Sequence, residues 1–320
     1  MKKIVLFAAI FVATFTAALA QKPKFGIKAG LNVFTLLNSN PEKDANGATL
    51  DKMDISSGFQ VGITAQLPLS EIFGLQGELL YTQRGGIYKY KGPGYLNVNT
   101  ASGDIYNITG TATYLLRHSN GYLEVPLMVY VKPVKHLKIE AGISPMFLIS
   151  AIGQGEYYLS KPQFNGVSLK DTNLIVSINA DYLGPNDTNQ QYDQSNQVSS
   201  VSGGGKQVAI QGDNYYLPTR VGAYYFNTNR SAGNTFRTFD LSANVGLVYN
   251  FTTGLNISLR AGYGLLDTTP AEQDVYLSKN TGTTIAPTTG SIGKSTDFQP
   301  LQRENATHNF NVGLTVGFSF

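Results

Sequence analysis

"HNFNVGLTVGFSF", residues 308–320, alternates without a break. Phe310, Val312, Leu314, Val316, Phe318 and Phe320 fall on one side, and Asn309, Asn311, Gly313, Thr315, Gly317 and Ser319 on the other. Period 2 over such a length marks a β-strand with two unlike faces. A strand of this kind carries a free row of backbone donors and acceptors until another strand pairs with it. The rest of the chain must supply that partner.

The same alternation recurs in seven further runs. Residues 24–34 set Phe25, Ile27, Ala29, Leu31 and Val33 against Lys24, Gly26, Lys28, Gly30 and Asn32. Residues 59–67, 122–132, 137–149, 238–251 and 255–265 follow the rule, and 75–86 follow it more loosely, with Leu80 out of phase. The connections are sorted by length. Residues 69–74, 133–136 and 252–254 are short, whereas 35–57, 87–120, 150–237 and 266–306 are long, and the two kinds alternate. If consecutive strands are antiparallel neighbours, all short turns lie at one end and all long loops at the other. An ordinary sandwich has no reason to sort its loops in this way, but an outer-membrane barrel does, with short periplasmic turns, long extracellular loops and an even number of strands.

Alternation alone does not say which face is outside, because a soluble lipocalin-like carrier turns its apolar face inward. The aromatic residues decide the expectation. Phe25, Tyr249, Phe251, Phe318 and Phe320 fall towards the short-turn end, and Phe59, Tyr81, Phe147, Phe239, Tyr263 and Phe310 towards the long-loop end, with aliphatic residues between. Two aromatic girdles around an aliphatic band fit a bilayer. A strand of eleven residues is about 36 Å long and, tilted by about 40°, covers about 28 Å. The reading is therefore all-β: an eight-stranded antiparallel transmembrane barrel in which the last strand pairs with the first, leaving no edge in lipid.

The first residues and the composition agree with export. Lys2 and Lys3 precede an apolar run, and Ala18-Leu19-Ala20 reads as a cleavage site, so residues 1–20 are expected to be a signal peptide and 21–320 one barrel domain. With Lys2 and Lys3 removed from 24 basic residues, 22 stand against 21 acidic ones, a formal net charge of +1, which argues against a nucleic-acid partner. Cysteine is absent, which excludes disulfides and thiolate metal sites.

Four stretches in order, "KFGIKAGLNVF", "LQGELLYTQRGG", "YLEVPLMVYVK" and "LKIEAGISPMFL", resemble the PorT-like outer-membrane β-barrel family. The resemblance covers the strands and not the long loops. It implies an integral barrel in the outer membrane of a Gram-negative bacterium, in contact with lipid and lipopolysaccharide. It also implies a terminal Phe318 and Phe320 signal read by the barrel assembly machinery, and, from the family's namesake, a part in protein secretion.

The polar face carries Lys28, Arg84, Lys132, Lys138 and Arg260 with Glu78, Glu124, Glu140 and Asp240. An eight-stranded barrel is only wide enough for its own side chains, and isolated buried ions cost several kcal/mol. The charges are therefore expected to form a structural lumenal network, with Arg84–Glu124 and Lys132–Glu140 as candidate pairs. Pro126 removes a ladder donor, which predicts a local distortion. No catalytic, cofactor or metal residues are assigned: His118 and His136 fall in connections, His308 shares the parity of Phe310, "SSVSGGGKQ" lacks the spacing of a phosphate loop, and "DANGATLD" is a fragment of a calcium loop. The long extracellular insertion at 150–237 combines Tyr with Ser, Gly and Asn, and "TNLIVSINADYL" within it alternates like a strand. That segment is expected to be either a hairpin extension above the barrel or a loose fringe. Its composition suits adaptable binding, so a non-enzymatic role is expected in the extracellular loops, through a surface ligand or a secretion-system partner.

Overall fold

The computed structural model describes residues 23–99, 105–164, 167–169, 173–184, 206–210, 213–217, 220–223, 225–226, 233–251, 254–279, 301–303 and 305–320. The expected signal peptide and most of "SSVSGGGKQ" lie outside them. The strands are β1 (Lys24–Asn38), β2 (Asp51–Asp54), β3 (Ser56–Pro68), β4 (Phe73–Asn99), β5 (Ile105–Glu124), β6 (Leu127–Val134), β7 (Leu137–Phe164), β8 (Val167–Ser168), β9 (Asn173–Asp181), β10 (Lys206–Ile210), β11 (Asp213–Leu217), β12 (Arg220–Val221), β13 (Phe239–Asn250), β14 (Leu255–Gly264) and β15 (Thr307–Ser319).

Antiparallel pairing runs β1, β3, β4, β5 with β6, β7, β13, β14, β15 and back to β1, so the ring closes with eight walls. The closing seam pairs Gly26 with Ser319 at one end and Asn38 with Thr307 at the other. Short turns join β3 to β4, β6 to β7 and β13 to β14 at the end that holds Lys24 and Ser319. The connection from β13 to β14 uses Gly254 at φ 83°, a left-handed conformation that favours glycine, with Phe251 N–H donating to the Leu255 carbonyl at 2.8 Å.

At membrane level the faces are the inverse of a soluble protein's. Ile27, Leu31, Ile63, Leu127, Val245 and Leu314 are half exposed on the outside, while Lys28, Asn32, Glu78, Glu140 and Arg260 are buried inside. An apolar belt of this extent is stable only against lipid, and the carrier reading is set aside for these residues. Aromatic pairs mark both rims. Phe59–Tyr81 and Phe147–Phe239, each with ring centroids 5.5 Å apart, stand at the long-loop end, and Tyr249–Phe251, 5.1 Å apart, at the other.

Two sequence expectations change. Residues 87–99 and 105–120 are not loop: β4 and β5 continue through them as a long hairpin, paired from Leu80–Glu124 up to Asn99–Ile105. Residues 150–164 likewise prolong β7, so the segment 150–237 is in part a built extension rather than one long loop; β9 pairs with β7 from Ile152–Asp181 to Ser160–Asn173. In "YKYKGPGY" Tyr88 and Tyr90 take the parity that holds Glu78 and Arg84 lower down, with Lys89 and Lys91 on the other, so the polarity of the two faces is the reverse of that below. Pro126 divides the fourth wall into β5 and β6, and its carbonyl accepts Glu78 N–H at 3.0 Å, which keeps contact across the break.

Above the rim, β9-β7-β5-β4-β2 form a sheet that stands clear of the membrane-level barrel. A β-bulge at Ile149 makes this possible. Gly121 pairs with Ser150 and Tyr122 with Leu148, leaving Ile149 between them. The extra residue switches the inward parity of β7 from Lys138, Glu140, Ser144 and Met146 below to Ala151, Tyr157 and Leu159 above. The inner face of this upper sheet is apolar: Leu96, Ile108, Ala112, Tyr157, Leu159, Leu174 and Val176 are fully buried.

Leu314→Arg, on the lipid face between Leu31 and Leu259, is expected to lower folding stability in vesicles by about 2–4 kcal/mol. Asn179→Arg, on the outer face of β9, should change it by less than about 0.5 kcal/mol. Urea titration of both variants checks the placement of the membrane belt, with faster gel migration before boiling as the control for a folded barrel.

Candidate functional site

The lumen contains two polar tiers. In the lower one, Arg260 from β14 donates to both Glu78 oxygens at 2.7 and 2.8 Å and through Nε to Glu140 at 3.0 Å. Lys28 from β1 reaches Glu78 at 2.6 Å, and Lys138 from β7 lies 3.4 Å from Glu140 and donates to Gln76 at 2.5 Å. Four walls thus supply three cations and two carboxylates, all buried. Period 2 explains the convergence, since every second residue of each wall must point inward. The void among Lys28, Gln76, Lys138, Glu140 and Arg260 is about 20 Å³, room for about one water.

In the upper tier Arg84 donates to Glu124 at 2.7 Å and to Asn311, whose amide in turn reaches Asn32 at 3.0 Å. Asp240 accepts Asn309 at 2.9 Å and the Leu241 N–H at 2.7 Å. Lys132 does not meet Glu140. Its ammonium lies over the Tyr130 ring, 5.4 Å from the centroid, because Glu140 is taken by Lys138, two residues away on β7, and by Arg260 from β14. Sequence spacing orders residues along neighbouring walls, but contacts across the barrel depend on its stagger. Phe318 and Phe320 are exposed on the outer face near the periplasmic rim.

A second site lies above these tiers. A cavity of about 160 Å³ opens between the inner face of the upper sheet and the segments that cover it. Tyr88 on β4, Tyr114 and Leu116 on β5, Phe226, Phe236 and Leu277 supply apolar wall. The rings pack edge to face: Tyr182–Phe236 centroids are 5.0 Å apart and Tyr114–Tyr157 centroids 5.3 Å. Such pairs add about 0.5–1.5 kcal/mol each beyond area burial. His118 on β5 joins them, 5.4 Å from Phe236 and 5.6 Å from Tyr182, with its Nδ1 buried and without a hydrogen-bond partner among the described residues.

Polar residues fasten the cover. Glu42 accepts Leu277 N–H at 2.8 Å and the Ser278 hydroxyl at 2.8 Å. Asp51 accepts Glu42 N–H at 2.7 Å and Arg303 at 2.7 Å, and Arg303 Nε donates to Asp274 at 2.5 Å. Burial lifts the Asp274 carboxyl above its ordinary range, although the neighbouring Arg303 guanidinium opposes the rise. None of these residues was singled out in the sequence. They lie far apart in the chain, and no local pattern announces a partner more than two hundred residues away. His118 could have been found, since "TYLLRHSNGYLE" keeps one parity from Tyr114 through His118 to Glu124.

The closed ring, the apolar belt between aromatic rims and the polar lumen define an integral outer-membrane β-barrel. The chain belongs to the outer membrane protein beta-barrel domain family, whose sequence model matches residues 19–269. Among solved structures it is similar to Ail, the attachment invasion locus protein of Yersinia pestis, with 8% identity, 94% of this chain and 100% of that one covered, and a TM-score of 0.32. It is also similar to Neisserial surface protein A, with 9% identity, coverage of 94% and 100% and a TM-score of 0.32. For OprG from Pseudomonas aeruginosa the identity is 10%, the coverage 94% and 97%, and the TM-score 0.29. No curated protein matches the sequence.

Glu78→Gln leaves Arg260 and Lys28 without their shared counter-charge and is expected to cost about 3–5 kcal/mol in urea-induced unfolding. A second expectation concerns pH. Burial pushes the His118 imidazole down to about 4 from 6.5, so between those values the folded chamber binds fewer protons than the opened one. Its stability is complete above about 6.5 and is lost as pH falls through about 4. Amide protection factors on β5 and β9, referred to the intrinsic exchange rate at each pH, should fall over that interval in the parent chain and not in His118→Leu; Asp274 and Arg303, the charged residues that share the cavity, are retained in both.

Proposed function

We propose that this protein is a non-enzymatic outer-membrane barrel that holds a ligand in its extracellular half. The observation that carries the reading is the reversal of polarity along β4, β5 and β7. The same walls enclose a charged network at membrane level and an aromatic chamber above it. The lower network fills the lumen, which supports a plug rather than a conduit, and the chamber has the concave, mostly apolar lining of a small-molecule site.

Export through a cleaved signal peptide at residues 1–20, assembly through Phe318 and Phe320, and contact with lipopolysaccharide complete the proposal. A second reading, an accessory barrel of a secretion complex, rests on the four PorT-like strand motifs. Copurification of a large partner assembly would favour it.

Planar-bilayer recording together with native mass spectrometry of protein taken from membranes in nanodiscs tests the proposal. The expected result is no conductance above the empty bilayer, with a small-molecule adduct on the folded chain. Sustained ion conductance without an adduct would overturn the reading.

A further inference from the structure

We propose that the chamber takes a small neutral aromatic ring bearing one hydroxyl, a simple phenol. The assignment deepens the ligand-holding reading above and rests on it. Size is the first argument. A dry apolar cavity of about 150 Å³ admits one benzene-sized ring, and this one measures about 160 Å³. Its walls are aromatic on several sides, through Tyr88, Tyr114, Phe226 and Phe236, so a flat ring gains offset or edge-on contacts that an aliphatic chain does not.

The polar part of the ligand follows from what the chamber leaves unsatisfied. Arg303 is engaged by Asp274 at 2.5 Å and Asp51 at 2.7 Å, and the other Asp274 oxygen accepts Asn305 at 2.9 Å. Gln273 donates to the Gly233 carbonyl at 2.9 Å. These groups satisfy one another. His118 lines the chamber among rings, its imidazole makes no hydrogen bond among the described residues, and an unmet buried polar atom costs about 1–3 kcal/mol until something bonds to it. A hydroxyl serves whichever imidazole tautomer is present, because it both donates and accepts.

Charge excludes the ionic relatives. A carboxylate would approach Asp274, with Asp51 and Glu42 behind it, and Arg303, the one basic side chain among the described residues that line the chamber, is already paired. An ammonium would have to leave water for a wall whose carboxylate oxygens are already taken up by Arg303, Asn305, Ser278 and backbone amides.

Equilibrium dialysis of labelled phenol against the full chain in lipid nanodiscs, with empty nanodiscs as reference, tests the proposal. The expected result is saturable binding of phenol, at least tenfold tighter than benzoate or benzylamine. His118→Leu should weaken phenol about tenfold by removing the hydrogen bond. Ala223→Leu, which places three more carbons in the cavity, should abolish saturable uptake. The heat-dependent gel shift shows that both variants fold. Absence of saturable phenol binding to the parent chain, equal binding of benzylamine or benzoate, or parent-like binding by both folded variants would overturn the assignment. If phenol fails while the native chain still carries an adduct and does not conduct, the ligand class is wrong and the ligand-holding reading stands.

Discussion

In a bilayer there is no water to satisfy a strand edge, so each backbone donor and acceptor at membrane depth must find its partner within the protein. Here that requirement is met by the seam between β1 and β15, which joins the two ends of the described chain along their whole shared length. Once the seam closes, inside and outside are defined for every wall. The alternation of each strand then has only one consistent placement, with Leu31, Leu259 and Leu314 towards lipid and Lys28, Asn32 and Arg260 towards the lumen. A slip of one residue would exchange the two sets.

Closure with eight walls creates the next constraint, because the lumen is narrow enough that its residents must satisfy one another. Arg260 has a special position in this. Its planar fork meets Glu78 with two donors and Glu140 with a third, a geometry that a lysine's single ammonium does not reproduce. Lys28 and Lys138 flank the two carboxylates. Such a network is weak evidence for net stability when compared with an apolar filling, but an apolar lumen inside an apolar exterior would leave little to distinguish the two faces of a strand. The charges give each wall an inward side.

Above the rim the same walls meet a different solvent, and the preference reverses. Lys89 and Lys91 point outward from β4 where Leu79 and Tyr81 did below, and Tyr88 and Tyr90 follow Glu78 and Arg84 inwards. On β7 the bulge at Ile149 brings Ala151, Tyr157 and Leu159 to that inner face. The result resembles a soluble half-sandwich built on top of a membrane barrel, with water outside and rings inside. Its cover, drawn from residues 42–51, 220–223, 225–226, 233–238 and 265–279 with Arg303 and Asn305, is held by charge-assisted bonds and by the two-residue pairing of β12 with β9. A chamber therefore remains between cover and sheet instead of a fully interdigitated core.

Much of this was written in the local pattern. Period 2, the sorting of short and long connections and the two sets of aromatics determined the class, the number of walls and which face meets lipid, because each depends only on neighbours along one strand. Arg84 and Glu124 were within reach of the same reasoning, since they sit on adjacent walls. What tertiary structure decided is everything that crosses the ring or spans the chain. It took Glu140 from Lys132 and gave it to Arg260, placed a parity change at Ile149, and turned residues 87–99 and 105–120 from a supposed loop into two walls of a chamber. It also joined Glu42 to Ser278 and Asp51 to Arg303. Those contacts are set by barrel stagger and by how distant loops fold over a shared apolar face, and neither leaves a periodic trace in the residues that make them.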